Sequence, residues 1–165
     1  MKKYKIEIRW AFIFAVMYLL WMIMEKLTGL HDKYLNKQQV VSMLILIPSI
    51  AIYVLALKKK KSNFYSGHIM YKQSFISGLA LTIFIVLLSP VNQLIVSYII
   101  SPSYFSNVIE YTVNSGVFTR EQAETQFSIT NYIVTSIVAG LITGIIFSAI
   151  ISIFIKSKPN NHEQK

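Results

Sequence analysis

The chain has 165 residues, 54% hydrophobic and only 14% charged, with a mean hydropathy of +0.52 and a formal net charge of +9. A soluble domain normally carries about a quarter charged residues, so the composition points to a membrane, and the pI near 9.7 loses its nucleic-acid reading for want of a soluble basic face. Cysteine is absent, which excludes disulfides, thiolate metal sites and cysteine nucleophiles.

About 20 apolar residues cross roughly 30 Å of hydrocarbon as a helix. Four such runs follow one another, at about 10–27, 40–57, 75–100 and 133–155. They predict an all-α polytopic membrane domain over 1–157, with an extramembrane helical hairpin at 101–131 and a disordered cytoplasmic tail at 158–165. The first run lacks a small-x-small cleavage site, so it is expected to stay as a span and not to be removed as a signal peptide. With the N-terminus inside, the inner segments hold twelve of the 16 basic and two of the seven acidic residues, a net +10 against −1 outside. The positive-inside rule then makes both ends cytoplasmic and the hairpin periplasmic.

The first run ends in "WMIMEKLTGLHD". Glu25, His31 and Asp32 are residue types that bind metal or pass protons. Their spacing differs from the paired histidines at i, i+4 of the familiar zinc helix, and Gly29 intervenes. The simpler expectation is a helix end at Thr28-Gly29, with the three side chains separately solvated or paired with headgroups. The "KKKK" at 58–61 is expected to stop the second span and to touch anionic lipid.

The third run contains "LSPVNQ", residues 88–93. Pro90 removes a backbone donor and favours a kink. Ser89, Asn92 and Gln93 fall on one face with Gly78, Thr82 and Ser97, and that face is expected to look into the protein. It is either a pathway at a broken helix or a hydrogen-bonded packing face. Without an intramembrane charge to couple an ion, packing is preferred. In the hairpin, Ser101-Pro102 predicts one helix start, and Thr119 with Gln122 predicts a capping box for a second short helix.

The fourth run carries Ser136, Gly140, Gly144, Ser148 and Ser152 at every fourth residue, the small-xxx-small pattern that lets another helix approach closely. A helix of the same chain is preferred to a second copy or another membrane protein. Depth matching predicts that Asn92 or Gln93 reaches Thr143, Ser136 or a carbonyl bared at Gly140.

The opening "MKKYKIEIRW", "LWMIMEKLTGLHD", "QSFISGL", "LSPVNQ", "ISPSYFSNVIEY" and "GVFTREQAETQF" together resemble a bacterial family of small four-helix membrane proteins catalogued as a domain of unknown function. The resemblance covers nearly the whole chain and implies an integral protein of the bacterial inner membrane. It carries over no catalytic residue.

Three function classes follow. A non-enzymatic membrane component (scaffold, assembly factor or regulator) comes first, a small transporter or channel subunit using the third span second, and an enzyme built on Glu25, His31 and Asp32 third. A polar cavity reaching Asn92 would favour transport. Convergence of the three outer residues with a second carboxylate would favour an enzyme. No cofactor or metal is expected. The expected partners are the bilayer, with a second copy or a membrane protein as further candidates, and no nucleic acid.

Overall fold

The computed structural model describes residues 2–158, and among these every regular element is helical. The expected tail therefore lies, beyond Lys158, outside the described residues. After a 3-10 turn at Lys2–Tyr4 come α1 (Lys5–Leu27), α2 (Leu35–Ser42) and α3 (Leu46–Phe64). These are followed by α4 (Tyr71–Ile95), α5 (Tyr104–Asn114), α6 (Arg120–Gln126) and α7 (Ile129–Ile155). A 3-10 turn at Met43–Ile45 joins α2 to α3, and a π turn at Val96–Ile100 extends α4. Four spans long and apolar enough to cross a membrane result, Lys5–Leu27, Leu35–Phe64, Tyr71–Ile100 and Ile129–Ile155. The protein is an all-α, multi-pass membrane protein.

The apolar residues face outward as well as inward. Phe12, Leu20, Ile47, Leu87 and Phe154 are all exposed on the bundle surface, where only lipid would leave them at no cost.

α1 ends in a Schellman motif. Gly29, at φ +78°, donates to the Lys26 carbonyl and Leu30 donates to the Glu25 carbonyl, both at 3.0 Å. That left-handed turn is what folds Leu30 and His31 back against the bundle, where both are buried. Pro48 sits in the first turn of α3, where its missing N–H costs nothing.

The second span does not stop at the lysine run. It continues through Phe64, and Lys60 turns inward and is 2% exposed. The expected contact of that lysine with lipid headgroups is thus corrected, because a buried acid draws it into the bundle. The third span is not broken either. Pro90 denies the Val86 carbonyl its helical partner, and the Ser89 hydroxyl supplies a replacement bond at 2.9 Å. The helix continues past Pro90 to Ile95.

α4 is the central helix, packed against α1, α3 and, most extensively, α7. It pairs with α7 in one antiparallel register. Ser152 Oγ donates to Ser74 Oγ at 2.9 Å, and Gly78 faces Ser148. Gly144 faces Thr82, and Gly140 faces Val86. At Gly144 the approach is so close that a Cβ would lie 2.8 Å from the Tyr53 hydroxyl and closer still to Thr82. The small-residue stripe is consumed inside the chain. Ser136 lies at the margin of this contact, 3.5 Å from Ser89 Oγ.

The core occupies the half of the bundle near the two chain ends, around Ala11, Tyr53, Leu57, Leu81 and Ile151. Cavities lie toward the hairpin half, and another of about 250 Å³ lies beside Glu7 and Lys60 at the chain-end side. In the hairpin, α5 starts at Tyr104 with Ser103 before it, two residues beyond the expected Ser101 cap. The capping box at α6 forms: Gln122 N donates to Thr119 Oγ1 at 3.3 Å and Thr119 N to Gln122 Oε1 at 3.1 Å.

Candidate functional site

Two carboxylates are buried on one face of α1. Glu7 and Glu25 are eighteen positions apart, which is five helical turns and about 27 Å along the axis. Both point into the bundle, at 2% and 1% exposure. The small residues Ala11 and Ala15 between them are also buried on this face. Acids in register with small packing residues were the signal for Glu7 that the sequence reading passed over.

At the chain-end side, Lys60 Nζ lies 2.8 Å from Glu7 Oε1 and also donates to the Lys3 carbonyl. Ser77 Oγ donates to the same carboxylate oxygen at 2.5 Å. The expectation of no charge within the spans is corrected here. The ion pair is neutral as a unit, which is how two charges can share a low-dielectric interior. Among the described residues Glu7 Oε2 is buried without a partner.

At the hairpin side, Glu25 is held from three directions. Trp21 Nε1 donates to Oε1 at 2.6 Å, Ser42 Oγ donates to the same oxygen at 2.7 Å, and His31 Nε2 lies 3.3 Å from Oε2. The expectation that Glu25 and His31 would be separately solvated is therefore overturned. The Schellman turn brings His31 back over the helix end, so residues six apart meet without sharing a helix face. Asp32 does not join them. It is exposed, and its carboxylate accepts from the backbone N–H of Lys33. Among the described residues, no group of three or more His, Asp or Glu side chains is placed to hold a metal.

Aromatic residues from other elements close this end. The Tyr104 hydroxyl is 3.1 Å from that of Tyr132 and also bonds Gln38, and the Tyr104 ring lies 5.0 Å from the His31 ring. Phe105 and Tyr132 meet edge to face at 5.0 Å. Asn107 Nδ2 donates to the His31 carbonyl at 3.0 Å and fixes the turn to α5.

Ser89, Asn92 and Gln93 face the interior, but Asn92 and Gln93 do not reach the fourth span. Gln93 Nε2 donates to the Tyr18 hydroxyl of α1 at 3.2 Å. Among the described residues Asn92 has no side-chain hydrogen bond, although it is buried. The expected bond from Asn92 to Thr143, Ser136 or the Gly140 carbonyl is corrected, because the observed register sets Val86 opposite Gly140. Between them lies a cavity of about 280 Å³ whose walls include Ser49, Asn92, Gln93, Gly140 and Thr143 among apolar side chains of all four spans. A second cavity of about 200 Å³ adjoins it, sharing Tyr18, Ile45 and Gln93 and reaching Glu25.

No curated protein and no solved structure matches the chain. A family model described as a protein of unknown function, DUF4199, matches residues 9–157. With that match spanning nearly all of the four-helix bundle, the chain belongs to the DUF4199 family.

Proposed function

We propose that the protein is a non-enzymatic membrane component that takes up an amphipathic molecule within the hairpin half of the bundle, as a small carrier or channel subunit does. One observation carries this: the cavity that reaches the buried and unpartnered Asn92 between apolar walls. A plain hydrocarbon tail there would leave the amide unpaired, at a cost of about 1–3 kcal/mol. Water alone would wet the amide and leave the apolar walls exposed to it. A molecule with both characters satisfies both surfaces.

Two other functions have less support. A scaffold built on the small-residue stripe would need Gly144, Ser148 and Ser152 free, and α4 occupies them. An acid–base enzyme on Glu25, His31 and Asp32 would need the third residue, which points away. The proposal includes an orientation in a bacterial inner membrane, with both chain ends cytoplasmic and the hairpin periplasmic, supported by the +10 against −1 charge skew.

Photolabelling tests the uptake. An uncharged diazirine-bearing octanol, activated in neutral maltoside micelles, should mark residues 89–93 and 136–143 above the outward-facing positions Phe12, Leu20 and Leu87. Gly140→Leu, which fills the cavity, should abolish that preference. Labelling spread evenly over the lipid-facing surface would overturn the proposal.

A further inference from the structure

The cavity beside Glu25 has a chemistry of its own. Its walls include Tyr18, Trp21, Tyr104, Phe105 and Tyr132, with Glu25 set among them and the polar side chains of Gln38, Ser42, Gln93 and Ser97 at its margin. Five aromatic rings come from three separate elements: α1, the first turn of α5 and the first turn of α7. The turn at Gly29 and the hairpin bring them together, so no local sequence pattern announces the arrangement.

The Glu25 carboxylate is ringed by polar side chains. Among the described residues His31 Nδ1 is buried without a partner, while Nε2 lies 3.3 Å from Glu25 Oε2. Trp21 and Ser42 donate to the carboxylate, and neither brings a charge. Unlike Glu7, which has Lys60, Glu25 has no lysine or arginine paired with it among the described residues. A buried carboxylate surrounded by ring faces attracts a positive charge that can shed its water.

That description fits a soft organic cation. Hard metal ions take six or more oxygen ligands and favour several carboxylates, and this cavity offers a single carboxylate among large ring faces. An alkylammonium binds through ring faces and a single anion, as in aromatic cages. The neighbouring cavity of about 280 Å³, which shares Tyr18, Ile45 and Gln93 with this one, has room for an apolar tail. We propose that the ligand's head is an organic ammonium seated between Trp21, Tyr104 and Phe105 against Glu25, with its alkyl tail lying toward Asn92. This rests on the hairpin-half cavity being a binding site, and adds the charge of what it binds.

Equilibrium dialysis of the full chain in dodecyl maltoside micelles tests it, with octyltrimethylammonium and 1-octanol as probes. The ammonium should bind one per chain and about tenfold or more tightly than the alcohol. Glu25→Gln should remove that preference and leave octanol binding unchanged. Because Glu25→Gln also disturbs Trp21, Ser42 and His31, Phe105→Leu gives a second reading. It removes one ring face, keeps the apolar volume, and should weaken the ammonium severalfold but not the alcohol. Equal binding of both probes to the native chain would overturn the ammonium head while leaving the cavity a binding site. Binding of neither would overturn both. Loss of both probes in parallel on Phe105→Leu would make the ring an apolar wall only, and the cage would fall.

Discussion

Gly144→Ala adds one methyl group at the tightest point of the α4–α7 interface, and its effect can be worked out in advance. The new Cβ would meet Thr82 Cγ2 and Oγ1 within distances real Cβ atoms do not show, and the Tyr53 hydroxyl at 2.8 Å. Thr82 has no free rotation with which to give way. Its Oγ1 donates to the Gly78 carbonyl at 2.9 Å and lies 2.8 Å from the Tyr53 hydroxyl. Relief therefore needs either a shift of α7, an overpacking cost of about 1–3 kcal/mol, or a broken hydrogen bond at about 1 kcal/mol. Alanine returns about 1 kcal/mol of helix propensity. The net expectation is destabilisation by up to about 2 kcal/mol.

Gly140→Ala is the control. Its nearest neighbour would be Val86 Cγ2 alone, at 3.1 Å, and it borders the cavity. It should be neutral, or up to about 1 kcal/mol more stable. Both variants can be compared by thermal unfolding in one detergent. Adding Thr82→Ala to Gly144→Ala removes two of the three colliding atoms and should restore part of the loss. Equal unfolding temperatures for the Gly144 and Gly140 variants, or no rescue by Thr82→Ala, would refute the register.

Other substitutions probe the remaining polar contacts. Lys60→Met should cost about 3–5 kcal/mol, because it strands Glu7 as an uncompensated buried charge, whereas Glu7→Gln with Lys60→Met should recover most of that; detergent unfolding showing equal losses for single and double variants would count against the ion pair. Ser89→Ala should destabilise by about 1 kcal/mol in the native chain but much less in a Pro90→Ala background, where a backbone N–H reclaims the Val86 carbonyl. Equal costs in the two backgrounds would mean that Ser89 does not substitute for the missing donor. For orientation, a reporter after Lys61 is expected inside and one at Ser115 outside, and reversed signals at both would invert the assignment.

The spans were legible because hydropathy acts locally: each run declares itself without knowledge of its neighbours. The α4–α7 pairing was half legible. Small residues at every fourth position mark a groove, but which ridge fills it depends on register, and matching depth alone set Gly140 against Asn92 and not Val86. The Glu25–His31 contact was hidden by the Schellman turn. Six-residue spacing means nothing on a helix, yet a single glycine at positive φ makes it a contact. Lys60 was hidden differently. In a run of four lysines nothing distinguishes the one that turns inward, because its reason is Glu7, fifty-three positions earlier. The aromatic walls around Glu25 come from three distant parts of the chain, and only the assembled bundle brings them together.

The pairing of α7 with α4 also bears on how the protein is made. Ser74 waits for Ser152, Gly78 for Ser148 and Thr82 for Gly144, each partner more than sixty residues later in the chain. The loop before α4 is likewise unfinished until the end: the Ile69 carbonyl accepts from Ser157 N at 2.9 Å, and Lys61 Nζ donates to the Ile155 carbonyl at 2.9 Å. Until α7 is made, the notch of small and hydroxylated side chains on the central helix has no partner helix to fill it. Only the arrival of the last span fills it. A chain interrupted before α7 would leave that polar stripe uncovered.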